Sequence, residues 1–284
     1  MTNHRIFLPS ELEEIERLLE LALEEDRVGG DETSRAVFSE SDNMSAKLVA
    51  RQPLTFVGGE VLPMLLAACS DITLDLRVKD GAQVAAGEVI AELSGPTIHL
   101  LGLERVMLNI IQRLCGVATL TNQYVEAVAG TDAVILDTRK TIPGWRALDK
   151  YAVRSGGGQN HRMHLADAMM IKDNHIAASG GLDEAISKAL AVKAEKNIPI
   201  VVECDTLEQV EAVTKHSIDR VLLDNMSNYQ LGQAVERVGG KLPLEASGGV
   251  NLDTVRGIAQ TGVDYISVGA LTHSAIAVDI GLDH

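Results

Sequence analysis

Cysteine is scarce, with three in 284 residues. Cys69, Cys115 and Cys204 stand far apart and form no Cys-x-x-Cys pair. A disulfide framework and a paired-thiolate zinc site are therefore excluded as the basis of the fold, and a reducing, cytoplasmic setting is expected. Aromatic residues make up 3% of the chain, too few for extended stacking surfaces. Positive charge is also short: 25 Lys and Arg face 40 Asp and Glu, a formal net charge of −15. No broad cationic surface is left for nucleic acid or anionic membrane. No segment approaches the ~20 apolar residues of a membrane span. The opening MTNHRIFLPSELEEIERLLE turns acidic where a secretion signal needs its apolar run. What remains is ordinary globular composition, 46% hydrophobic and 23% charged. The length allows one large domain or two, with a sizeable core.

Ser10 and Glu13 have capping-box spacing, and Leu12, Ile15, Leu19 and Leu23 recur at helical intervals, which predicts a helix over 10–25. Residues 44–100 read as an antiparallel, β-rich unit: MSAKLVARQ, LTFVGG, ITLDLRV and EVIAELSG are short runs split by turns, with a helix near 60–69. Residues 101–129 carry one strong helical pattern that Gly116 is expected to divide. From 133 the rhythm changes. AVILDT, AMMIKDN, PIVVECD, RVLLDN, LPLEASGG and DYISVGA are near-continuous apolar strands, separated in most cases by helical patterns, which points to βα units around a parallel sheet covered on both faces. Each of these strands runs out into polar residues. In a (β/α) barrel the site is built at that edge, whereas a doubly wound open sheet, the other candidate, has no use for polar groups at so many strand ends.

Charge is uneven along the chain. Between Asp137 and His175, seven Lys or Arg face four Asp. This local positive region contains SGGGQNHRMH (155–164), whose glycines invite a reading as a phosphate loop, and it suits a small anionic ligand. A solvated basic helix face is the alternative. The other strand ends sort by chemistry. Ser247, Gly248 and Gly249, together with Ser267 and Gly269, let backbone N–H groups approach an anion, and a helix expected near Asn251 would add its N-terminus. Tight turns alone are the competing explanation. Asp137, Glu203, Asp205, Asp224 and Glu245 are strand-end carboxylates able to hold sugar hydroxyls or Mg²⁺. Asp205 and Asp173 serve equally well as helix caps. Arg139, Lys140, Arg162 and Lys172 are the matching cations, Arg offering a fork for carboxylate or phosphate. Lys172 also invites a Schiff-base reading. His161 can act as acid, base or neutral hydrogen-bonding group, and His164 and His175 are as readily structural. Together these groups imply a small polycarboxylate and a phosphorylated sugar as substrates.

The stretches DTRKTIPGWRALDKYAVRSGGGQNHR, IKDNHI, VVECDTLEQ, VLLDNM, LEASGGVNL and TGVDYISVGALTHS, with LNIIQRLCGVATLT before them, resemble the quinolinate phosphoribosyltransferases, type II phosphoribosyltransferases of NAD biosynthesis. The resemblance runs in order over nearly the whole chain. It implies an N-terminal α/β sandwich domain (1–115, to which a tail near 271–284 returns) and an incomplete α/β barrel (116–270) carrying the site. It also implies a homodimer and the conversion of quinolinate and phosphoribosyl pyrophosphate to nicotinate mononucleotide, pyrophosphate and CO₂, with Mg²⁺. By matching position, Arg139, His161, Arg162 and Lys172 would bind quinolinate, with Arg105 reaching in from the neighbouring subunit. Lys140 would lie near the substrate and pyrophosphate, Glu203 and Asp224 at the ribose and Mg²⁺, and Ser247, Gly248, Gly249, Ser267 and Gly269 at the 5′-phosphate. Ile142, Trp145 and Ser155 stand where the family often has Thr, a smaller apolar residue and Cys, and none of these removes a charge. A Schiff-base aldolase and a non-catalytic binding relative remain as competing readings.

Overall fold

A computed structural model describes residues 7–69 and 71–284. The first six residues of the acidic N-terminal stretch lie outside the described residues. Two compact units are present. One holds the described residues up to Asn122 together with Thr141–Gly157 and Ser274–His284. The other holds Gln123–Lys140 and Gly158–His273.

The first unit begins with α1 (Pro9–Glu25), which buries Ile15 and Leu19. Its start differs from the predicted capping box. Pro9 takes the first helical position, where its fixed φ fits and its missing N–H costs nothing. The Leu8 N–H donates to Glu11 at 2.8 Å. Then come α2 (Glu32–Val37), β1 (Asn43–Ala50), β2 (Leu54–Thr55), α3 (Val61–Leu66), β3 (Thr73–Leu76), β4 (Gln83–Val84), β5 (Val89–Pro96) and α4 (Thr97–Ala127). β5 pairs antiparallel with both β1 and β3. Contrary to the sequence reading, Gly116 does not divide α4, which is one helix of 31 residues. The glycine serves packing instead. A Cβ there would sit 2.2 Å from the Ile276 carbonyl oxygen.

The fifth helix, α5 (Arg146–Ser155), also belongs to this unit. Tyr151 is buried, and its hydroxyl donates to Asp80, whose other oxygen accepts the N–H groups of Gly58 and Gly59 at 2.9 and 2.8 Å. Arg154 pairs with Glu11 of α1 at 2.9 Å, and Lys150 is fully buried. The positive region of the sequence is thus divided, because Arg146, Lys150 and Arg154 build the first unit. The glycines of 155–164, which invited a phosphate-loop reading, begin instead in packing. Gly156 is buried against α4, where a Cβ would lie 2.5 Å from the Ala118 carbonyl oxygen.

The second unit is the βα region. Its elements are β6 (Val134–Leu136), β7 (Met169–Ile171), α6 (Asp173–Ser179), α7 (Leu182–Lys196), β8 (Ile200–Cys204), α8 (Leu207–Val213), β9 (Arg220–Asp224), α9 (Asn228–Val238), β10 (Leu244–Ser247), α10 (Val255–Ala259), β11 (Tyr265–Ser267) and α11 (Ala270–His273). All six predicted strands form one sheet in the order β6-β11-β10-β9-β8-β7. Every pair is parallel. β7 to β11 lie side by side in chain order and β6 adds at the far edge, an incomplete α/β barrel with its unclosed side between β6 and β7. Val202, Val221, Leu223 and Ile266 are buried, as are Ile186, Leu231, Ala234 and Ile258 on the helices. This is why the strands read as apolar runs. Finally, β12 (Ile280–Asp283) rejoins the first unit, pairing antiparallel with β1. The fold is α/β throughout, an antiparallel-sheet domain and an incomplete barrel. Among the described residues no helix is long and apolar enough to cross a membrane.

Candidate active site

Because all six strands run the same way, their C-terminal ends meet at one edge of the sheet, and alternate residues share a face. In register, that face carries Lys172 after β7, Glu203 on β8, Leu222 and Asp224 on β9, Glu245 and Ser247 on β10, and Ser267 on β11. A cavity of about 730 Å³ opens there. Arg139, Lys140, His161, Arg162, Lys172, Glu203, Asp224, Ser247, Gly248, Gly249, Ser267 and Gly269 all line it. Arg105 does not. It lies exposed on α4 in the first unit.

The cations gather on one side. Arg162 is steered by two bonds from its guanidinium, to the Ala168 carbonyl at 2.7 Å and to the Met170 sulfur at 3.7 Å. Burial, and then the positive Arg139 beside it, lower Arg162 from its ordinary value. Arg139 keeps a buried Nε that has no hydrogen-bond partner among the described residues. Two like charges close together in a half-buried position favour an anion between them. The Lys172 ammonium is engaged by the Glu203 carboxylate. That contact suits ion binding better than attack on a carbonyl.

On the other side lies the glycine loop. Gly248 has φ +94, and a Cβ there would sit 2.1 Å from Asn225 Oδ1. Gly249 has φ +61 with nothing within 4 Å of a built Cβ. Backbone is thereby presented bare to the cavity. Gly269 abuts Lys140, whose Cδ would lie 3.0 Å from a Cβ. Lys140 is placed by Thr272, whose hydroxyl donates to the Lys140 carbonyl at 2.8 Å. The helix expected near Asn251 starts later, at Val255. Asn251 instead heads the turn before it, its side chain accepting the N–H groups of Asp253 and Thr254 at 3.0 Å each.

Some assignments from sequence resolve as structural. His175 Nδ1 accepts the Lys172 N–H at 3.1 Å, closing the first turn of α6. Thr206, not Asp205, caps α8. His164 is exposed, and its N–H and that of Met163 donate to Asp167 at 2.7 and 2.8 Å. Asn225, His273 and Thr138 line the cavity without having been given a role from sequence. Asn225 adopts a left-handed φ of 52 and donates to Asp224 at 2.7 Å. An Asn directly after a strand-end Asp is the signal for such a turn.

Sequence profiles decide the family. The one described as quinolinate phosphoribosyl transferase, C-terminal domain, matches residues 117–283, and its N-terminal domain partner matches 31–115. The chain belongs to the quinolinate phosphoribosyltransferase family. Among similar members, the nicotinate-nucleotide pyrophosphorylase [carboxylating] of Mycobacterium leprae is 42% identical, over 92% of this chain and 94% of that protein. A probable enzyme of the same name from Bacillus subtilis is 41% identical over 95% and 93%. Solved structures of the family superpose closely. The nicotinate-nucleotide pyrophosphorylase of Francisella tularensis has a TM-score of 0.92 at 36% identity, covering 100% of this chain and 99% of that one. The corresponding protein of Ehrlichia chaffeensis has a TM-score of 0.88 at 40% identity, covering 94% and 97%.

Proposed function

We propose that the chain is a quinolinate phosphoribosyltransferase, converting quinolinate and phosphoribosyl pyrophosphate to nicotinate mononucleotide, pyrophosphate and CO₂ in NAD biosynthesis. The observation that carries this reading is the sorting of one cavity into a cation side, Arg139, Arg162 and Lys172, and a bare-backbone side at Gly248 and Gly249. The first fits a pyridine dicarboxylate and the second a sugar phosphate, with Glu203 on β8 and Asp224 on β9 between Lys172 and the β10 glycines in strand order. On this reading the cations hold both carboxylates so that the ring nitrogen faces the anomeric carbon, a contribution of positioning. The bond from that carbon to pyrophosphate breaks with its electron pair leaving on oxygen, and the ring nitrogen lone pair forms the new bond. Glu203 and Asp224 offset the positive charge that grows on the ribose. The adjacent carboxylate then leaves as CO₂. Its electron pair stays on the ring carbon, stabilised by the cationic nitrogen, until a proton arrives.

Among the described residues no group of three or more His, Cys, Asp or Glu could cage a metal. Two carboxylates nevertheless fit Mg²⁺, which keeps its waters and binds one or two protein carboxylates with substrate phosphates. Glu203 and Asp224 would hold it, and when bound it would neutralise the pyrophosphate leaving group. Incubation with quinolinate, phosphoribosyl pyrophosphate and Mg²⁺ is expected to release nicotinate mononucleotide and pyrophosphate in equal amounts, with EDTA abolishing turnover. Failure to form the mononucleotide would sink the assignment, and turnover in EDTA would sink the metal.

A homodimer completes the reading, with Arg105 serving the neighbouring site. In support, Arg105 is exposed and its side chain has no ion pair or hydrogen bond among the described residues. Mixing Arg105→Ala with Asp224→Ala, each inactive alone, is expected to restore activity, because a two-fold hybrid keeps one intact site. Two variants that stay inactive after mixing would refute the shared site. The three unpaired cysteines fit a cytoplasmic enzyme, which cell fractionation would check.

A further inference from the structure

Glu245 is the second residue of β10, in the middle of the parallel sheet, and it is fully buried. A carboxylate in that position is costly unless it is well partnered, and an apolar residue would serve the sheet as well or better. Its partners come from three places. Arg220 of β9 donates to Oε2 at 2.9 Å, and its guanidinium lies 4.0 Å from the centroid of the Tyr265 ring. The Ser267 hydroxyl of β11 donates to Oε1. From the 158–168 loop, His161 brings Nε2 to 3.4 Å from Oε2, within ion-pair reach but outside the geometry of a hydrogen bond. Burial acts to push the Glu245 carboxyl up, but the neighbouring His161, Ser267 and Arg220 outweigh it and hold the group below the usual carboxylate range.

The far side of the His161 ring fixes its tautomer. Nδ1 accepts the backbone N–H of Arg162 at 2.7 Å. A nitrogen that accepts carries no proton, so the neutral ring bears its hydrogen on Nε2, facing Glu245. The His161 N–H is itself held by Asp137 at 2.9 Å. A continuous chain of contacts therefore runs from Tyr265 through Arg220, Glu245 and His161 to the amide of Arg162, one of the cations that face the dicarboxylate.

We propose that Glu245 is a positioning residue for dicarboxylate binding: it holds the His161 ring so that Nδ1 fixes the Arg162 main chain, and thereby aims the Arg162 guanidinium. The proposal rests on the functional reading above. It also changes the part played by His161, which acts through the protein rather than as a cation on the substrate.

The test is calorimetric binding of quinolinate to the purified chain, beside steady-state kinetics. Glu245→Gln is isosteric and removes the charge. It is expected to raise the Kd and KM for quinolinate about tenfold, the scale of one lost polar contact to a charged group, with the KM for phosphoribosyl pyrophosphate changed less than about twofold. A purely structural role would lower stability and the active fraction without this split. Glu245→Gln and His161→Asn together are expected to be no worse than the weaker-binding single variant, because both break one chain of contacts. Multiplying effects, or unchanged quinolinate affinity in Glu245→Gln, would overturn the proposal. Ring ¹⁵N shifts test it in the unaltered protein: Nε2–H is expected at His161, and Nδ1–H or a doubly protonated ring would overturn it even if the variants fail to fold. An unaltered protein that neither binds nor converts quinolinate would instead sink the functional reading.

Discussion

Arg139→Ala is expected to raise the KM for quinolinate at least a hundredfold while leaving that for phosphoribosyl pyrophosphate within about twofold. Arg139 follows β6, and its buried Nε lacks a hydrogen-bond partner among the described residues. It also stands close enough to Arg162 to help lower that guanidinium from its ordinary value. A dianion between the two relieves this repulsion and supplies the missing acceptor in one event. Losing one partner of a desolvated charge pair costs roughly 2–5 kcal/mol, and about 2.7 kcal/mol already corresponds to a hundredfold. Arg139→Lys should recover only part of the loss, since an ammonium is a point charge without the planar fork. Steady-state kinetics with each substrate varied decides the matter. Unchanged quinolinate kinetics in Arg139→Ala would refute the cation clamp.

Gly248→Ala is expected to have the opposite selectivity, cutting kcat/KM for phosphoribosyl pyrophosphate about 10²- to 10³-fold with quinolinate affinity retained. Two costs combine. A φ of +94 is a strained conformation for any residue with a Cβ, and that Cβ would lie 2.1 Å from Asn225 Oδ1 and 3.0 Å from the Asn225 nitrogen. Left-handed strain alone costs about 1–2 kcal/mol. The collision adds the larger part, because Asn225 is not free to yield. Its N–H donates to the Ser247 carbonyl at 2.9 Å and its side chain to Asp224 at 2.7 Å. Moving it disturbs the glycine loop and Asp224 together. Gly249→Ala separates the two costs, since open space surrounds that position, and it should lose only about tenfold. Equal effects at the two glycines would show that the collision is not the cause.

The barrel was legible because its physics is local. A strand buried on both faces must be apolar along its length, and a strand that ends at a site must end in polar residues, so β6 to β11 and the cavity at their ends follow from short windows. The charge window misled for the complementary reason. Arg139, Lys140, Arg162 and Lys172 reach the cavity, but Arg146, Lys150 and Arg154 lie among them in sequence and serve α5, where Arg154 meets Glu11 and Tyr151 meets Asp80. Those partners are 143 and 71 residues away, and no short pattern announces them. Glu245 was visible as a strand-end carboxylate, but the Arg220, Ser267 and His161 around it come together only through the register of three strands and a loop. Gly116 illustrates the same limit: within its own helix it looks like a break, and its cause is the backbone of Ile276.

The pairing of β12 with β1 bears on how the protein is made. Lys47 lies opposite Asp283, so the sheet begun earliest in synthesis receives its edge strand only after more than two hundred further residues have been translated. The α5 segment likewise reaches the first unit only after β6 has been made. A nascent chain must therefore carry an unfinished antiparallel sheet, with β1 still open along one edge, while the βα units emerge. Such exposed edges invite pairing with other chains. On the ribosome β7 to β11 can assemble in chain order, β6 must wait for β11, and the N-terminal unit is the last to close.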